Sequence, residues 1–150
     1  MKYVLKQNIW KNNIELLGDG QIIGKIEKNG FLRPHSKGYF LDRNYTFLVK
    51  GIFDVRTEIR DENDNLIGEI YYSTLSSKTK IDLNGKRYYW QSDNFLCTKW
   101  KLTDELGRAI LLNKNKFIID YDISEDDDLV IFLATYLFYY SYNQIVAHIV

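Results

Sequence analysis

The chain has 150 residues, with 20 Lys and Arg against 20 Asp and Glu. That length suits one domain, residues 1–150, with a single buried core. Ordinary apolar content excludes a disordered chain, and zero formal net charge argues against non-specific nucleic-acid binding by the molecule as a whole.

The first residues, MKYVLKQNIWKNN, hold no apolar run followed by a small-residue cleavage site, so no secretory signal is expected. Up to residue 120, short runs of Ile, Val, Tyr, Phe and Trp alternate with polar residues at a period of two. KYVLKQNIW (2–10), QIIGKIEK (21–28), YTFLVKGIF (45–53), RYYWQS (87–92) and NKFIIDYDI (115–123) all read as strands. Between them lie GDG (18–20), ENDN (62–65), NG (84–85) and ELG (105–107), residues that accept the positive φ of hairpin turns. The longest irregular stretch is 29–44, NGFLRPHSKGYFLDRN. It carries the sole proline, Pro34, and is predicted to be an exposed loop.

Three stretches resemble one another: IELLGDGQIIGKI (14–26), EIRDENDNLIGEI (58–70) and KLTDELGRAILL (101–112). Each reads as a strand, a turn and a second strand. Gly24 and Gly68 follow Ile in the first two and are expected at a bulge or a close backbone approach. About twelve strands over residues 2–121 is the pattern of an all-β sandwich or barrel.

The chain closes on SEDDDLVIFLATYLFYYSYNQIVAHIV, uncharged from Leu129 to Val150. A helix is predicted over about 125–148, with Ser124 as N-cap, Asp127 returning to the cap, and the acids of 125–128 beside the positive end of the dipole. The run is apolar on every face and needs apolar surroundings on every side. At roughly 33 Å it is long enough to cross a bilayer. Against a span stand the absence of flanking Lys or Arg, the polar Asn143, Gln144 and His148, and a preceding sheet that needs something to wrap. The expected fold is therefore mainly β: a closed antiparallel barrel of about twelve strands around one central hydrophobic C-terminal helix, with no transmembrane span.

FIIDYDISEDDDLVIFLATYLFYY (117–140) resembles the ending of phospholipid scramblases, where an Asp-x-Asp strand end leads into a hydrophobic helix. WKLTDELGRAI (100–110) looks like a recurrent Asp-x-x-Gly hairpin of the same superfamily, which also holds tubby C-terminal domains and LURP-one-related proteins. The resemblance covers most of the chain. It implies a twelve-stranded barrel around a helix, and it brings in phosphoinositide-binding relatives. The Pro-rich N-terminal region and cysteine clusters of eukaryotic scramblases are missing, so lipid scrambling and palmitoylation are not expected.

Two charge clusters are candidate sites. Lys25, Lys28, Arg33, Lys37, Arg43 and Lys50 stand against Glu27 and Asp42, with His35 among them and Tyr39, Phe40 and Tyr45 beside them. Such a cluster could hold a lipid headgroup phosphate or an acidic partner, although solvated strand faces would look the same. At the other cluster Asp120, Asp122 and Asp126 lead a run of acids whose oxygens suit Ca²⁺, the site that the scramblase resemblance also implies. Helix capping explains four of its six acids without a metal. DENDN (61–65) begins like an EF-hand loop but places Leu66 where Gly is required and Tyr72 where Glu is required.

Cys97, the only cysteine, permits no intramolecular disulfide and fits a reducing compartment. With His35 or His148 it could make a nucleophile and base, yet no nucleophile elbow, phosphate loop or zinc motif is present. The expected role is a non-catalytic binding module, cytoplasmic and peripheral to a membrane, that recognises anionic phospholipid. A protein-interaction module, such as an inhibitory or immunity partner, is the alternative, and an enzyme comes third. No nucleic-acid partner is expected.

Overall fold

A computed structural model describes residues 1–8, 10–28, 35–72, 78–94, 98–124 and 127–149, with side chains in the last helix described through Asn143. The twelve strands are β1 (Tyr3–Asn8), β2 (Asn13–Gly18), β3 (Gln21–Lys28), β4 (Ser36–Phe40), β5 (Arg43–Lys50), β6 (Arg56–Arg60), β7 (Leu66–Tyr71), β8 (Thr79–Leu83), β9 (Lys86–Ser92), β10 (Lys99–Asp104), β11 (Ala109–Asn113) and β12 (Lys116–Ile119). Each pairs antiparallel with the next, and β12 returns to β1, closing the barrel. The closing seam is short. Val4 stands opposite Lys116, and the Leu5 N–H donates to Asn115 O at 2.8 Å.

The turns follow the local chemistry. Asp19 and Gly20 (φ 49° and 82°) and Asn84 and Gly85 (φ 49° and 77°) place both central residues in the left-handed region, as two-residue hairpins prefer. In two longer turns an Asp carboxylate holds the loop. Asp61 Oδ1 accepts the N–H groups of Asn63 and Asn65, and Asp104 Oδ1 accepts those of Leu106 and Arg108.

The expected loop at 29–44 is corrected in part, because β4 runs through it. Its inward residues are Ser36, Gly38 and Phe40, two of them small, so the apolar alternation that marks other strands is faint. It joins β5 through Leu41 and Asp42, both at positive φ without a glycine, and the Tyr39 hydroxyl donates to Asp42 Oδ1 at 2.8 Å. Three predicted strands also stop early: β1 ends before Trp10, β5 before Ile52 and Phe53, and β12 at Ile119, before Asp120–Ile123.

The three similar stretches become β2–β3, β6–β7 and β10–β11, recurring at every fourth strand. The first two pairs share a register shift, with Leu16 opposite Gly24 and Ile59 opposite Gly68. At Gly68 an added Cβ would lie 2.6 Å from the Asp82 carbonyl oxygen, the close backbone approach expected there. The third pair has no shift and sets Ile110 opposite Leu102.

α1 (Leu129–Ile149) threads the barrel. Val130 through Leu137 are all buried, so no face of those two turns meets solvent. A barrel of about eight strands is filled by its own side chains, whereas twelve leave room for a helix. The fit depends on small wall residues. The Phe132 ring occupies a slot over Gly24 and Gly38, stacked on Phe40 at 5.1 Å between centroids and tilted against Tyr45 and Phe47. One turn on, Tyr136 stacks on Phe47 at 3.9 Å. Its hydroxyl bonds Thr57 and Tyr72, while burial pushes its pKa far up. The Thr135 hydroxyl, also buried, returns to the Ile131 carbonyl at 2.9 Å and is satisfied within the helix.

The start of the helix also differs from expectation. Residues 127–128 form a turn and α1 begins at Leu129. The Ser124 hydroxyl donates to the Asp127 carboxylate at 3.1 Å rather than capping an N–H. Asp127 in turn takes Lys86 Nζ at 2.6 Å, so the acid ties the connector to the barrel rim.

The Phe132 slot yields a test. A Cβ on Gly38 would lie 2.7 Å from Phe132 Cζ and 2.8 Å from Phe47 Cε2. Gly38→Ala is expected to lower unfolding stability by about 2 kcal/mol in a urea titration, through overpacking. In a Phe132→Leu background most of that penalty should vanish, because the two changes share one contact.

Candidate functional site

In a meander, connections alternate between the two ends of the barrel. One end holds the start of α1 and the turns at 19–20, 41–42, 61–65, 84–85 and 104–108. The opposite end, where α1 emerges, holds the connections at residues 10–12, 51–55 and 114–115 and the neighbouring strand termini.

The ends differ sharply in charge. Among the described residues at the turns and strand ends of the helix-exit rim, Lys11, Lys28, Lys50, Arg56, Lys78, Lys99, Lys114 and Lys116 stand with Asp54 and Asp93, eight bases against two acids, with Lys50 also paired to Glu58 and Arg56 to Glu69 on the adjoining wall. At the helix-start rim Lys2, Arg43, Arg60, Lys86 and Arg108 face Asp19, Asp42, Asp61, Glu62, Asp64, Asp104, Glu105, Asp120, Asp122, Asp127 and Asp128, five against eleven. A chain of zero net charge is thus strongly bipolar. The polarity matches the helix dipole, but that effect reaches only the first and last turns and does not call for bases spread around a whole rim.

The basic rim also carries the most exposed large apolar side chains. Trp10 is 98% exposed, Phe53 97% and Ile52 88%. Both tips are built, not frayed. The Lys11 N–H donates to Asn8 Oδ1 at 3.2 Å, Asn12 adopts φ 49°, and the Tyr139 hydroxyl of α1 donates to Asn12 O at 3.2 Å. The second tip turns at Gly51 (φ 91°), where a Cβ would fall 2.3 Å from the Asp54 carbonyl oxygen, so only glycine fits.

Of the predicted basic cluster, Lys28, His35, Lys37 and Lys50 gather at or beside this rim. Lys25 sits in the middle of the outer wall, 3.6 Å from Glu27, and Arg43 lies at the opposite end. Arg33 is outside the described residues. The segment therefore does not form one face. His35 has a structural partner, accepting the Val49 N–H at Nδ1 (3.3 Å). Lys50 is shared with the wall: it lies 3.0 Å from Glu58, which also takes Arg60 at 3.1 Å. The hydrogen bond from Lys50 above all, then that from Arg60, holds the Glu58 carboxyl below its usual range against the opposing effect of burial.

At the acidic rim, Asp122 lines a cleft of about 250 Å³ with Tyr88, Leu106, Tyr121 and Val130. Arg108 lies over the Tyr121 ring at 4.9 Å and pairs with Asp104 at 2.7 Å. Asp120 is exposed on the same connector, while Asp126 is outside the described residues. Among the described residues no group of three or more His, Cys, Asp or Glu could hold a metal ion. Cys97 also falls outside them, and the His148 side chain is not described.

Trp10, Ile52 and Phe53 were read from the sequence as strand residues. The signals for turns lay beside them, in Asn12-Asn13 and in Gly51 with Asp54, but the apolar alternation ran across both. Among the described residues no helix is long and apolar enough to cross a membrane. Comparison with family models, with curated proteins and with solved structures finds no match.

Glu58 gives a pH-dependent test. Its folded pKa lies below the unfolded one, so the stabilisation is present at neutral pH and fades as pH falls through the folded value. Half-exposed Lys50 keeps the pair screened, so Glu58→Gln is expected to cost about 1 kcal/mol at pH 7. In urea titrations the difference from the unmodified chain should shrink as pH falls below about 4.

Proposed function

We propose that the protein is a non-catalytic module that recognises anionic phospholipid at a membrane surface, and that its contact face is the basic rim. The observation that carries this reading is the segregation of charge, with eight bases against two acids at one end of an otherwise neutral molecule. Each Lys or Arg close to an anionic leaflet contributes about 1 kcal/mol, so a ring of several is enough for reversible docking. The acidic end is repelled by the same surface, so the field also orients the barrel with α1 pointing its C-terminus at the lipid. Kinship with the tubby, LURP-one-related and scramblase superfamily is part of this proposal. It rests on the residues at 100–110 and 117–140 and on the architecture that the resemblance implies.

Vesicle flotation tests it. The chain is expected to float with vesicles containing phosphatidylserine or phosphoinositide, to stay behind with neutral phosphatidylcholine, and to lose binding as salt rises. Lys28→Glu and Lys114→Glu should each weaken binding by about tenfold. Arg43→Glu, at the far end, should leave it unchanged. No flotation of the unmodified chain with any anionic vesicle would end the reading.

A further inference from the structure

Electrostatic docking alone leaves the exposed Trp10, Ile52 and Phe53 unexplained. The core aromatics pack in pairs and stacks around α1. Other large apolar side chains are exposed singly, Met1 (80%) and Leu106 (79%) at the helix-start end among them. Yet three of the largest apolar side chains stand almost free in water on the rim that carries the basic ring. Isolated exposed apolar residues are ordinary, but the three highest exposures among the described large apolar residues, two of them aromatic, share one rim and mark an interaction surface.

We infer that Trp10 and the Ile52–Phe53 pair are wedges that enter the interfacial layer of an anionic bilayer, with the barrel axis upright on the membrane. This rests on the membrane reading above and states how that contact is made. Three features converge on it. The residue types suit the boundary: Trp and Phe partition to the headgroup level, and Ile is apolar with no hydrogen-bonding group to read a polar ligand. Lys11 lies next to Trp10, and Lys50 and Arg56, each paired to a wall glutamate, bracket the Ile52–Phe53 tip with Asp54 between them, so the tips stand beyond a ring of cations at headgroup height.

The third feature is that the tips are held in place. Tyr139 pins the Trp10 turn to the central helix, and Gly51 fixes the other turn. Little ordering entropy is then lost on insertion. The backbone of α1 also continues as helix for about 10 Å along its axis past Tyr142, toward the same side. A nucleic acid would meet the same charge, but Ile52 and Phe53 offer it little, and an unpaired Ile is a poor stacking platform.

Trp10 is its own probe, because Trp90 is buried and stacked on Trp100 at 5.2 Å. Emission should be followed while phosphatidylcholine–phosphatidylserine vesicles are added, with and without bromines on the acyl chains. The expected result is a blue shift on binding and quenching by the brominated lipid, both lost in Trp10→Phe. Trp10→Ala and the double variant Ile52→Ser, Phe53→Ser should each lower vesicle affinity about tenfold or more, with unchanged thermal melting because the side chains are exposed. They should also remove the residual binding that survives high salt.

Vesicle binding with no Trp10 response and full affinity in the Ser variant would overturn the wedge and leave electrostatic docking standing. Absence of vesicle binding overturns both. Tighter binding to a single-stranded RNA than to vesicles, lost with the same tip variants, would assign the rim to nucleic acid and overturn it as well.

Discussion

The structure depends on one constraint: a helix that is apolar on every face cannot be left half-covered. From Val130 to Leu137 each side chain of α1 needs a wall, and a wall on all sides means a closed sheet. Closure answers a second problem at the same time, since twelve strands have no unpaired edge once β12 meets β1. The helix and the barrel each remove the other's liability. Neither would be stable alone in water, because the barrel without α1 would enclose a void too large for its own side chains to fill.

The seating of α1 is made by absences as much as by contacts. Gly24 and Gly38 lie diagonally on adjacent strands, Gly24 opposite Phe40 and Gly38 opposite Ile26, and the space where their side chains would be holds the ring of Phe132. Below that slot the interior becomes polar by degrees. Thr57, Tyr72 and Tyr136 share hydrogen bonds, and Tyr139 reaches the turn at Asn12. Among the described residues no buried side-chain nitrogen or oxygen lacks a partner. The tyrosines are therefore amphipathic struts, burying rings against the helix and wall while their hydroxyls satisfy backbone and threonine at the exit end.

Much of the candidate site was hidden by the same regularity that made the fold legible. Lys28, Lys37 and Lys50 were singled out as neighbours in sequence, but strands carry neighbours apart: Arg43 and Lys50 bound one strand, and the strand sets them at opposite ends of the barrel. The bases that do share the rim, such as Lys11 and Lys114, come from distant turns that only closure brings to one edge. Trp10, Ile52 and Phe53 were absorbed into strands because period-two alternation does not say where a strand stops. The stop comes from a glycine that must take positive φ and from a turn anchored by a residue more than a hundred positions away.

By itself the sequence determined the alternation that makes strands, four of the hairpin turns, and the uniformly apolar helix that had to be enclosed, because each is set by neighbours within a few residues. It carried the repeat as well, through Asp-anchored turns and Ile-Gly pairs. Only the tertiary structure decided that SKGYF is a strand, since its inward face is mostly small and becomes meaningful when Phe132 arrives to fill it. Only the tertiary structure divided the charges of a neutral chain between two rims. The end of a barrel at which a turn lies depends on how many strands precede it, which no local stretch records.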